Sequence, residues 1–155
     1  MIYGLTITTP ANTAEKSIPD VRLKITSGLI WLMEVDFPPG GCGLLHVQAF
    51  DGSYQVLPAT PGESLHGDGV VMKFDDLYFK QAAPFELMIR TWNDDDTWAH
   101  TTQVRIGVAS TRAEMSRYMP AFAWENFEKL MAEMLISQEA MRQSQLEAAV
   151  KELGG

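Results

Sequence analysis

Three histidines are the natural starting point for catalysis, because imidazole is the side chain whose ordinary pKa lies closest to neutral. His46 alternates with Gln48 on the polar side of an apolar run and reads as a surface residue. His100 falls on the inward side of a later run, beside Trp98 and near an acidic tip, and reads as a hydrogen-bonded core histidine. His66 belongs to Ser64-Leu65-His66-Gly67-Asp68, where alternation would put a hydroxyl, an imidazole and a carboxylate on one side of an extended segment. Same-face neighbours in a strand stand ~6.5–7 Å apart, too far for a direct hydrogen bond, and known triads gather their members from separate elements. A Gly-x-Ser-x-Gly elbow is also missing from the sequence. No catalytic residue is assigned, and the chain is expected not to be an enzyme.

The remaining polar motifs read as turns. Asp94-Asp95-Asp96 offers hard oxygen ligands but lacks the alternating spacing and distal Glu of a calcium loop, so it reads as a charged hairpin tip. Gly40-Gly41-Cys42-Gly43 shares only its glycine content with a phosphate cradle, because it leads into a strand and lacks the Lys-Ser/Thr pair. Cys42 has no basic neighbour to lower its thiol pKa and reads as a small buried residue. Of Trp31, Trp92, Trp98 and Trp124, the patterning turns Trp31 and Trp98 inward, which leaves two for any sugar-stacking platform. Neither a metal nor a cofactor is expected.

The elements around these residues are mostly strands. Tyr3, Leu5 and Ile7 alternate with polar or small residues, as do Val21, Leu23 and Ile25. Leu29, Trp31, Met33, Val35 and Phe37 line the inward face of a long strand whose outer face, with Ile30 and Leu32, is half apolar. Pro38-Pro39-Gly40-Gly41 stops it. Leu45–Ala49, the turn Asp51-Gly52 and Tyr54–Leu57 read as a hairpin. Val70–Asp75, a strand after Pro84 with Leu87 and Ile89 inward, and a last strand from Trp98 to Val108 follow. Short strands at regular spacing with no helical interruption predict a mainly β protein: an antiparallel two-sheet sandwich, immunoglobulin-like or jelly-roll, over residues 1–109.

From residue 110 to 155 the pattern becomes helical. Ser110 or Thr111 with Glu114 forms a capping box for a short helix ending before Pro120. A second helix is predicted from Ala121 to Leu153, ~45–50 Å long at 1.5 Å per residue, more than a sandwich of this size needs for its own cover. Its apolar stripe is Phe127, Leu130, Met131, Met134, Leu135, Met141, Leu146, Ala149, Val150 and Leu153, weakened by Gln138 and Gln145, which suits docking onto another surface better than a strict coiled coil. Phe127, Met131, Met134, Leu135 and Met141, with Ile30 and Leu32, are the expected partner-binding positions.

At 155 residues the chain is long enough for one self-sufficient core plus an appendage. The net charge of −8 splits as −6 over residues 1–110 (7 basic, 13 acidic) and −2 over residues 111–155 (5 basic, 7 acidic). With no cluster of Lys and Arg to neutralise phosphates, nucleic acid is not an expected partner. The richest apolar run, Leu29–Met33, meets Glu34 and Asp36 at once, so no membrane span is expected. The N-terminus, with no basic n-region, reads as a strand and not as a secretory signal. The single cysteine fits a reducing cytoplasm.

The turn signatures Phe37-Pro38-Pro39-Gly40-Gly41-Cys42-Gly43-Leu44, Phe50-Asp51-Gly52, Leu57-Pro58, Gly67-Asp68-Gly69 and Trp92-Asn93-Asp94-Asp95 resemble those of small β-sandwich proteins encoded beside structural genes in tailed phages. The resemblance covers residues 1–108. It implies a virion protein assembled in the host cytoplasm: a capsid decoration (cement) protein that contacts the major capsid protein or another virion protein and forms a homo-oligomer, trimer or dimer. A neck, tail or baseplate protein fits the same resemblance. A carbohydrate- or calcium-binding sandwich, using Asp68, Trp92 and Asp94–Asp96, is the other reading.

Overall fold

A computed structural model describes residues 1–118, 123, 125–134 and 136. Met1–Met115 form one compact unit, and the chain from Ser116 onward forms a second. The first unit is the predicted sandwich, made of two antiparallel five-stranded sheets. One sheet runs β1 (Ile2–Thr9), β10 (His100–Ala109), β3 (Gly28–Phe37), β7 (Val70–Phe74), with β8 (Tyr78–Lys80) also on β3. The other runs β2 (Val21–Lys24), β9 (Glu86–Asn93), β4 (Leu45–Asp51), β5 (Tyr54–Leu57), with β6 (Leu65–His66) also on β4. Two of these strands, β6 and β8, are too short to announce themselves by alternation.

Each long central strand is flanked on one side by two short ones laid end to end. β7 pairs with Met33–Phe37 of β3 and β8 with Gly28–Ile30. The residue between them, Trp31, is a bulge: Leu32 pairs with Gly107 while Ile30 pairs with Val108. An extra residue resets the side-chain alternation. Ile30, Met33, Val35 and Phe37 therefore face the core, whereas the sequence places Leu29 and Trp31 there instead. Trp31 lies across Gly107 on the outer face, where a Cβ at Gly107 would stand 2.8 Å from the indole ring and 2.9 Å from the Leu32 Cβ. Ile30 and Leu32 are thus not an exposed apolar surface. Ile30 is fully buried in the core and Leu32 is 6% exposed.

The core between the sheets joins Ile7, Val104, Ile106 and Val108 to Leu23, Leu45, Val47, Leu87 and Ile89. Hydrophobic burial at these positions is what holds the sheets face to face. Polar ties cross the core at two places. Thr9 donates to Thr91 Oγ1 at 2.8 Å, and Lys80, 2% exposed, pairs with Asp51, which also accepts from the Tyr78 hydroxyl at 2.7 Å. Burial, reinforced by that bond to Asp51, raises the Tyr78 pKa.

The predicted capping box is present. Glu114 accepts from the Ser110 and Thr111 amides at 2.9 and 3.2 Å, its own amide donates to Thr111 Oγ1 at 3.3 Å, and α1 (Arg112–Met115) follows. In the second unit, residues 125–134 are helical. Leu135 and Met141, and most of the predicted long helix, lie outside the described residues. No described helix is long and apolar enough to cross a membrane.

Candidate functional site at one end of the sandwich

The chemistry-bearing residues gather where β4 begins and β9 ends. Register places Trp92 of β9 and His66 of β6 on either side of His46 in β4. Val47 next to His46 points into the core, so the three rings stand abreast on the outer face of the sheet. His46 stacks on Trp92 with parallel planes and centroids 4.8 Å apart, and the His66 centroid is 5.2 Å away. His46 is consequently half-buried, which corrects the expectation of a plain surface residue.

Two further groups fix the His46 ring. Asp94 Oδ2 lies 3.2 Å from Nε2, and Ser64 Oγ is 2.9 Å from Nδ1. Burial is the largest influence on the ring and, opposed by Asp94 and aided by His66, lowers its pKa. In the neutral ring Nε2–H donates to Asp94, which leaves Nδ1 to accept the Ser64 hydroxyl. The loop carrying Ser64 is held because the Glu63 carbonyl accepts from both Gln48 and Gln55 side-chain amides at 2.9 Å.

Serine, histidine and aspartate thus meet, but not in the combination that the local sequence suggests. Ser64 finds His46 and Asp94 from other elements, while Asp68 turns away and accepts the Gly40 and Gly41 amides at 2.6 and 3.1 Å. A proton can pass from Ser64 to this imidazole in principle. A hydrolase also needs a buried orienting carboxylate and donors for an oxyanion. Here the Asp94 side chain is 57% exposed, and the Gly40 and Gly41 amides of the glycine-rich loop are committed to Asp68.

Asn93, 1% exposed, organises the loops around this cluster. Its amide donates to the carbonyls of Pro10 and Trp98 at 3.1 and 2.8 Å, its side-chain oxygen accepts the Asp95 amide, and its backbone pairs with Thr13. Asp95 in turn accepts from the Thr97 and Trp98 amides and from His100 Nε2 at 2.8 Å. The Trp98 and Thr97 amides, with His100 after them, hold the Asp95 carboxyl below its ordinary pKa. His100 is hydrogen-bonded near the tip as predicted, but it is half-buried at the start of β10 and not part of the core. Asp94, Asp95 and Asp96 each serve a different partner, and no group of three or more metal-ligating side chains occurs among the described residues.

Beside His100 lies a cleft of about 190 Å³ lined by Phe37, Pro38, Leu45, Gly67 and Ala99 among others. Trp98, 69% exposed, precedes it instead of facing the core, because the last strand starts only at His100. Cys42 is exposed as well, in a turn with φ of 47°, which corrects its expected burial. Trp124 lies outside the described residues.

Of the expected partner-binding residues in the second unit, Phe127 and Met131 are half-buried and Met134 is 40% exposed. Leu130 and Ile136, which the expected set omits, are 57% and 67% exposed. Leu130 belongs to the predicted stripe, three and four residues from Phe127 and Met134, whereas Ile136 falls outside it. The joining of His46 to Ser64 and Asp94 had no signal in the sequence, because it depends on strand register between β4, β6 and β9. No protein-family model matches the chain, and no curated protein matches it.

Proposed function

We propose that this chain is a structural component of a tailed-phage particle, a decoration protein that attaches to the capsid or another virion protein through its helical segment. The observation that carries this reading is the apolar stripe of residues 125–134. Phe127, Leu130, Met131 and Met134 follow one another at helical spacing, and Leu130 and Met134 remain 57% and 40% exposed. Exposed apolar side chains grouped on one helix face suit a groove in a partner, and methionine adapts to irregular grooves. The sandwich contributes a rigid body whose polar end is tied together by Asn93 and Asp95.

The test is binding of the purified chain to particles that lack it. Leu130→Glu with Met134→Glu places two charges in the stripe and is expected to weaken binding by ~100-fold or more while leaving sandwich stability unchanged, because buried charge at an interface is strongly unfavourable. Undiminished binding by this double variant contradicts the reading. A second reading rests on a separate observation, the 69%-exposed Trp98, whose chain neighbour Ala99 lines the cleft at the loop end. Exposed indole suits stacking on a sugar face, and a glycan-array signal abolished by Trp98→Ala would favour a carbohydrate-binding module instead.

A further inference from the structure

The edge strands of the two sheets are unequal. In one sheet the edges are β2, which carries Arg22 and Lys24, and the short pair β5 and β6 of four and two residues. In the other, β7 and β8 carry Lys73 and Lys80 in strands of five and three residues. Short length and basic side chains are the usual means of keeping an edge from pairing with another chain. β1 has neither: its eight residues, Ile-Tyr-Gly-Leu-Thr-Ile-Thr-Thr, contain no charge and no proline.

The hydrogen-bonding groups of β1 that no described residue takes up can be assigned. Met1 and Val108 exchange both backbone bonds, so the two-residue repeat of an antiparallel ladder directs the amides of Tyr3, Leu5, Ile7 and Thr9 toward β10. Those of Ile2, Gly4, Thr6 and Thr8 point away from the sheet, and all four residues are exposed.

We infer that β1 is a self-association edge, and that its partner is the β1 strand of a second copy of this chain, paired antiparallel about a two-fold axis. One register uses every outward group: Gly4 faces Thr6 of the second copy, Ile2 faces Thr8, and Leu5 faces Leu5 on the axis. Tyr3 then meets Ile7 on the inward face, so apolar residues oppose apolar residues across the joint. The result is one continuous sheet made from two five-stranded ones. Absence of charge is what allows identical edges to meet on a molecule whose net charge is −8, since like charges placed opposite each other would repel.

Thr6→Pro tests this selectively. It deletes an outward N–H and leaves the β10 ladder intact, and proline is tolerated on the solvent side of an edge strand. Light scattering is expected to give twice the 17.3 kDa chain mass for the native chain and the single-chain mass for Thr6→Pro. If the variant does not fold, amide exchange on the native chain gives the same information. The Gly4, Thr6 and Thr8 amides should slow by ~10-fold or more as concentration is raised through the dimerisation range. A native chain that stays monomeric, or one whose outward β1 amides exchange freely at every concentration, overturns the inference.

Discussion

Asp51 at the end of β4 and Lys80 in β8 join the two sheets across the core, and Asp51→Ala removes one member of that pair. The Lys80 side chain is 2% exposed and the Asp51 side chain 20%, so the pair is only weakly screened by solvent. Removing one partner of a buried ion pair costs ~3–5 kcal/mol, mostly because the remaining charge is left desolvated. The lost bond from the Tyr78 hydroxyl, 2.7 Å in the native chain, adds ~1 kcal/mol. A total of ~4–6 kcal/mol is a large part of the 5–15 kcal/mol typical of a whole domain. Urea unfolding followed by tryptophan fluorescence should show the midpoint falling steeply with an unchanged slope. The companion variant, Asp51→Leu with Lys80→Met, replaces both charges with apolar groups and should recover most of the loss, because a filled apolar site avoids the desolvation cost. A loss under ~1 kcal/mol for Asp51→Ala, or a double variant as unstable as the summed singles, would refute the assignment of this pair as buried and coupled.

Other consequences follow from particular contacts. Gly107→Ala drives a methyl group into the Trp31 ring and the Leu32 Cβ and should cost ~1–3 kcal/mol, with a shift in tryptophan emission that marks the displaced indole. His46 is expected to titrate below its ordinary 6.5 in an NMR pH series. Because the unfolded ring takes up its proton first, this histidine's contribution to stability is fully present above pH 6.5 and is lost as pH falls toward the folded-state pKa. His46→Phe should flatten that part of the stability profile, and an unchanged slope would remove His46 as its source.

Alternation carried much of the fold. Tyr54–Leu57 is a strand with the predicted ends, and Tyr3, Leu5 and Ile7 face inward as their spacing requires. Capping chemistry is equally local, so Thr111 and Glu114 could be read directly. Where an extra residue enters a strand, the sequence keeps alternating while the structure does not, and the Trp31 bulge therefore moved Ile30 into the core and Trp31 out of it. Trp98 was misplaced for a related reason. Asp95 binds the Thr97 and Trp98 amides in a tight turn, which delays the strand until His100. Ser64, His66 and Asp68 do not combine, as strand geometry requires, but the meeting of Ser64, His46 and Asp94 is set by three strands distant in sequence and is not legible in local spacing.

Attachment to a particle is decided by quantitative mass spectrometry of density-purified phage particles. A decoration protein should co-purify in a fixed ratio to the major capsid protein, at a copy number matching the lattice symmetry. Particles that are complete and infectious without this chain at any stoichiometric level would contradict the account.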